Sequence, residues 1–175
     1  MKKVSVLFIM MVCFLGFISN SFGADVAKIG IVDYQRILDE SSGGKIIEKQ
    51  ISDKNIEIRK QLIDEKDQID KMTKDFQRES LVLSSEKQDE KARDIRIRQN
   101  DAIKLEKKLT LGFKQLQAEL FTAFQKEVSA IVSEIGKKEG YLLILEKKQG
   151  AVIFAQDHVD ITDMIIKLYN KKTAK

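Results

Sequence analysis

KIIEKQISDKNIEIRKQLIDEKDQIDKMTKDFQR, residues 45–78, contains neither glycine nor proline, and nearly every second residue is charged. The glycine-free run continues to Leu111, 67 residues in all, with Phe76 its only aromatic. A segment of this composition extends as helix but lacks the apolar surface to close a core of its own. Read in alternating steps of three and four, it presents Glu48, Ile51, Asn55, Ile58, Leu62, Glu65, Ile69, Met72 and Phe76 on one side. That is a coiled-coil seam with polar interruptions, and it predicts a helix over about 45–78.

Ser80-Leu81-Val82-Leu83-Ser84-Ser85 breaks the pattern, and Ser85 with Gln88 three residues on reads as a capping box opening a second helix. That helix, over about 86–135, carries Ala92, Ile95, Ala102, Leu109, Phe113, Leu116, Leu120, Phe124, Val128, Ile131 and Ile135 at near-heptad spacing. Its apolar residues grow bulkier toward the C-terminal end. The two helices therefore make an antiparallel hairpin with a wet tip near 80–85 and a dry root. Fifty helical residues span roughly 75 Å, so much of the hairpin projects beyond any body this chain can build. Gly112, deep in the return helix, is read as a tolerated residue or a hinge.

The body comes from both ends of the chain. Lys28-Ile29-Gly30-Ile31-Val32 alternates as a strand, Asp33 can cap a short helix over 34–38, and Ser41-Ser42-Gly43-Gly44 interrupts it. After Gly136 and Gly140 end the return helix, Tyr141–Leu145 reads as a buried strand and Ala151–Phe154 as a second, joined in a hairpin through Glu146–Gly150. Val159-Asp160-Ile161-Thr162-Asp163 opens a terminal amphipathic helix with apolar residues Ile161, Met164, Ile165 and Leu168. The fold class is thus α+β, mainly α: a small body of three strands carrying a long coiled-coil hairpin. The body occupies 24–44 and 136–175 and the hairpin 45–135. Ile29, Ile31, Val32, Leu143, Leu145, Val152, Phe154 and Ile161 are the candidate body residues. A lone hairpin buries too little apolar surface to offset chain ordering, so partners along the seam or at the base are expected.

Lys2 and Lys3 precede an apolar run over 4–18 and the small residues of 19–24, the pattern of a cleaved secretory signal peptide. The run is about 15 residues, short of the roughly 20 a spanning helix needs. Cleavage after Gly23 fits best, with Ala24 the alternative. Cys13, the one cysteine, falls inside the leader and lacks a lipoprotein context, so disulfides, thiolate catalysis and cysteine metal sites are not expected. Losing Lys2 and Lys3 lowers the formal charge from +4 to +2, with both signs interspersed. No basic cluster of the kind nucleic acid requires is present, and no nucleic-acid partner is expected.

The residues assemble no catalytic constellation. His158 is the single histidine, beside Asp157 and Asp160. Gly43-Gly44-Lys45 lacks the rest of a phosphate loop, because Asp39 stands where the first glycine belongs and neither serine nor threonine follows Lys45. Of the pair Asp160 and Asp163, the first sits at a helix start, where it or Thr162 satisfies open backbone donors, so capping explains it better than acid-base work. Neither enzymatic activity nor a metal or cofactor is expected.

Ile29-Gly30-Ile31-Val32-Asp33 with Gln35-Arg36-Ile37, Gly44-Lys45, Leu83-Ser84, Glu139-Gly140-Tyr141 and Val159-Asp160-Ile161-Thr162-Asp163 together resemble the Skp/OmpH family of periplasmic chaperones. The resemblance covers essentially the whole chain after the leader. It implies a jellyfish-like homotrimer whose strands pool into one β body while three hairpins surround a cavity. It also implies an ATP-independent holdase that keeps unfolded outer-membrane β-barrel proteins from aggregating in the periplasm of a Gram-negative bacterium. Some members are strongly basic, and attraction to lipid headgroups or lipopolysaccharide is invoked for them; a charge of +2 weakens that partner here. Residues that contact a client are not assigned. The alternative is a coiled-coil scaffold of the cell envelope that binds a folded partner through its arms.

Overall fold

The computed structural model describes residues 27–173, so the leader and its cleavage site lie outside the described residues. Strand β1 (Ile29–Val32) leads into the short helix α1 (Tyr34–Glu40), and then the long helices α2 (Ser42–Glu79) and α3 (Ser85–Lys138) run out and back. Strand β2 (Leu143–Glu146), a single 3₁₀ turn (Asp157–Val159) and helix α4 (Thr162–Thr173) complete the chain. At 1.5 Å per residue, α2 and α3 are roughly 57 and 81 Å long, so most of the hairpin stands clear of the base.

The expected seam is where the two helices meet. Ile51, Asn55, Ile58, Leu62, Glu65, Ile69 and Phe76 are half-buried along α2, opposed by residues such as Ala92, Ile95, Ala102, Leu109, Phe113, Leu116 and Leu120 of α3. Glu48 and Met72, placed on the seam by spacing, are exposed. A crosslink fixes the pairing: Arg98 Nε lies 2.5 Å from Glu65 Oε1, and an Arg98 terminal nitrogen donates to Gln68 Oε1 at 2.7 Å. Lys91 pairs with Glu79 nearer the tip. These half-exposed pairs fix register and contribute little net stability.

At the tip, Ser84 rather than Ser85 precedes the return helix, and its side chain makes no capping bond. The expected capping box is absent because Gln88 is used otherwise. Its amide nitrogen donates to the carbonyls of Ser80 (2.8 Å) and Leu83 (3.1 Å), closing the turn.

The base is built around one cluster of buried side chains: Val32, Ile37, Phe124, Val128, Ile131, Ile135, Ile161, Ile165, Ile166 and Tyr169. It joins the root of α3, both short helices and the inner face of the sheet. Phe124 is central, edge-on to Tyr34 at 6.4 Å and to Tyr169 at 5.8 Å between ring centroids. Such T-shaped pairs add about 0.5–1.5 kcal/mol beyond simple burial. Asp33 caps α1 by accepting from the Arg36 N–H at 3.0 Å, while its own N–H donates to Thr162 Oγ1 at 3.0 Å. The two ends of the chain are thereby tied together.

Several local readings change. Gly43 and Gly44 do not interrupt a helix; they are buried in the first turn of α2, which Ser41 caps through a 3.0 Å bond from the Gly44 N–H. Any Cβ on Gly44 would stand 1.8 Å from the Leu38 carbonyl oxygen, so this turn packs backbone against backbone. Helix α3 runs through Gly136 to Lys138 and ends before Gly140, whose φ of 70° is the left-handed conformation common just past a helix. Helix α4 begins at Thr162, and its buried face is Ile165, Ile166 and Tyr169, leaving Met164 exposed.

The sheet departs furthest from expectation. The described residues form two strands rather than three, and they are parallel, with Ile29 opposite Leu143 and Val32 opposite Glu146. The far side of β1 meets only an isolated bridge from Ile31 to Asp160. Ala151–Phe154 is not a strand in this chain. The Gly150 N–H donates to the Glu146 carbonyl at 2.7 Å, Val152 N–H to Lys147 carbonyl at 3.2 Å, and Ala151 sits at φ 48°. This tight turn carries residues 152–156 off β2 instead of folding them back alongside it.

Candidate functional site

Strand register decides which of the expected body residues act together. Side chains opposite each other in a ladder share a face, and successive residues alternate. Ile29, Leu143, Ile31 and Leu145 therefore line one face of the sheet, and Gly30, Ile144, Val32 and Glu146 the other. Val32 and Ile144 join the main core, whereas the first set stands on the opposite side of the strands from it. Ile29 is 43% and Leu143 47% exposed, at the open end of that face. Val152 is half-buried and Phe154 82% exposed in the segment leaving β2.

The eight expected residues thus divide. Ile29, Leu143, Leu145, Val152 and Phe154 belong to an open or half-open apolar region at the sheet, while Ile31, Val32 and Ile161 are buried within the chain. Leu142 and Ile153, fully or largely exposed beside this region, were not among them. Their signal was legible: both segments are apolar at successive positions, so neither face of them is solvated by design.

The arms carry a second kind of surface. Ile56, Ile63, Ile103, Leu111 and Phe121 project from α2 and α3 outside the seam, 43–63% exposed, among mixed charges. Leu62, Ile69, Ala102 and Ile103 line a shallow groove between the helices, rimmed by Glu65, Lys66 and Glu106. Leu81 and Val82 stand out at the tip. These are scattered apolar contacts on a rigid polar rod rather than one pocket.

No chemistry-bearing cluster accompanies them. Among the described residues no group of three or more His, Cys, Asp or Glu side chains is placed to hold a metal ion. His158 lies exposed in the 3₁₀ turn. Asp160 accepts from the Thr162 N–H at 2.8 Å, the capping role read from its position, and Arg36 spans Glu40, Asp160 and Asp163 across the chain ends. The Tyr169 hydroxyl lies 3.1 Å from Glu127 Oε2, and burial first, then the Glu127 charge and hydrogen bond, push its pKa up to about 12. It acts there as a neutral donor holding the root of α3. No described helix is long and apolar enough to cross a membrane.

Residues 28–169 match the model of the family described as Outer membrane protein (OmpH-like). Among solved structures the chain is similar to a candidate outer membrane chaperone (OmpH-like) from Caulobacter crescentus CB15, with a TM-score of 0.78 at 13% identity over 89% of this chain and 91% of that one. At that identity the likeness concerns the fold. No curated protein matches the sequence. The chain belongs to the OmpH-like family of outer membrane proteins.

Proposed function

We propose that three copies of this chain join through the open sheet face and hold an unfolded outer-membrane β-barrel polypeptide between their arms, without nucleotide, in the periplasm. Residues 24–44 and 136–175 are the assembly body in this reading, and 45–135 the arm. The observation that carries it is the second apolar face of the sheet, whose open end, Ile29 and Leu143, is half-exposed beside the exposed Ile153 and Phe154, while Ile31 of the same face is buried. A parallel two-stranded sheet normally has both faces covered, and an unpaired apolar edge invites a further strand. Residues 151–154, turned away from their own β2, are free to pair with a neighbouring copy, which restores the third strand expected from the sequence.

The arms supply the holding surface. Isolated apolar side chains on a charged rod each remove a little client surface from water, at about 25 cal/mol per Å² buried, and none of them imposes a client shape. Such contacts suit a polypeptide that must stay unfolded and leave again.

Mass measurement in solution, with and without an unfolded barrel polypeptide, tests assembly and holding together. The expected result is three copies alone and three copies plus one polypeptide on mixing, with precipitation of the polypeptide suppressed at that ratio. A single-copy mass, or barrel polypeptides that precipitate equally with and without the protein, would overturn the reading.

A further inference from the structure

Where the C-terminal turns of α3 and α4 come together, they border an open groove of about 320 Å³. Ile131 and Ile135, both buried, and Leu168 supply its apolar lining; Lys138, Lys171 and Lys172 supply ammonium groups. Glu134 is the one acidic side chain in the lining. Lysines in a last helical turn are ordinary complements to the helix dipole, but that does not explain why two such turns converge over an apolar patch. Within the described residues, none of the three lysines joins the ion pairs that lace the arms and base.

We propose that this groove is a docking site for the C-terminal end of an extended polypeptide, its free carboxylate among Lys138, Lys171 and Lys172 and its last apolar side chain on Ile131, Ile135 and Leu168. The groove carries a formal +2, three lysines against one glutamate, which complements a single carboxylate with charge to spare. Its volume lies at the lower end of the roughly 300–1,000 Å³ found for ligand pockets, a fit for one side chain rather than the several acyl chains of a lipid. An amphiphile with one charge beside one apolar group describes the last residue of any unfolded chain with an apolar C-terminus. The inference rests on the holding function proposed above: the arms contact the body of the client, and this site fixes one end of it.

Two measurements on the full-length protein separate this proposal from the holding function. Fluorescence anisotropy compares an uncharged octapeptide ending in leucine as the free acid with the same peptide as its amide. The free acid is expected to bind at least about tenfold tighter, as removal of a charge-assisted contact implies. K138Q/K171Q/K172Q, all at exposed positions, is expected to erase that difference, and Glu134→Gln to tighten free-acid binding. Suppression of barrel-polypeptide precipitation by the triple variant is measured in parallel and is expected to persist, because the arms are untouched. Equal binding of acid and amide by a protein that still holds polypeptides would overturn the site alone. Displacement of the free acid by anionic phospholipid vesicles, with no acid-over-amide preference, would also overturn it and assign the groove to a headgroup.

Discussion

The ring of Tyr169 lies directly on Gly43: a methyl group built at position 43 would stand 2.5 Å from its Cε1. The same ring packs edge-on against Phe124, and its hydroxyl reaches Glu127. One side chain of the last helix thus touches the start of the outgoing arm and the root of the returning one. Both arms are held to the base through this one side chain.

Gly43→Ala is expected to destabilise the protein by about 1–3 kcal/mol, the usual cost of overpacking a buried site. Denaturant unfolding followed by circular dichroism measures it. An unchanged midpoint would mean that the ring yields freely to the added methyl group.

Gly112→Ala should have the opposite sign. Nothing stands within 4 Å of a Cβ at that position, deep inside α3, so the substitution replaces a poor helix former at no steric cost and is expected to stabilise by about 1 kcal/mol. If clients bind less well to the stiffened arm while stability rises, the glycine serves bending; if binding is unchanged, it is merely tolerated.

Raising the pH should weaken the base through Tyr169. Its hydroxyl is held neutral in the folded protein, with a pKa of about 12 against an ordinary value near 10. The folded state therefore keeps its proton where the unfolded chain has lost it. The contribution is complete below pH 10 and is lost as pH rises from there toward 12. Tyr169→Phe, which removes the hydroxyl, should cost about 0.5–1.5 kcal/mol at neutral pH and flatten the stability profile between pH 10 and 12. A profile identical to that of the unsubstituted protein would exclude Tyr169 as the responsible group.

Charge placed on the open sheet face should separate copies without melting arms. Leu143→Asp, at a half-exposed position outside the subunit's main core, is expected to leave helix content intact and lower the mass in solution to a single copy. Val32→Asp is the control, since that side chain is 1% exposed in the main core and an unpaired buried charge there should unfold the base. Retention of the three-copy mass by Leu143→Asp would place the assembly surface elsewhere.

What was legible in the sequence follows the range of each interaction. The seam residues from Ile51 to Phe76, Met72 apart, were readable because helical periodicity is local and needs no knowledge of the partner. The sheet was not, because Ile29 pairs with Leu143 across the entire hairpin and nothing in either tetrapeptide names the other. Gly43 and Gly44 read as a break by their helix propensity, yet tertiary packing against Leu38 and Tyr169 requires them inside a helix. Tyr169 was missed for the same reason, although its spacing from Ile165 and Ile166 marks it as core. Of the candidate body residues, the apolar character was evident, but only the strand register separated those facing inward from those facing out.

The insertion of both arms between β1 and β2 has a consequence for how the molecule comes into being. As the chain grows from its N-terminus, Ile29–Val32 exists long before Leu143–Glu146 can meet it, and bringing those strands together unaided means closing a loop of more than a hundred residues. Helix formation is local and fast, and once α2 and α3 zip from Gln88 and Ser80 downward they deliver the two strand ends side by side. The projecting rod is then its own folding template: the part that reaches farthest from the base is the part that allows the base to close.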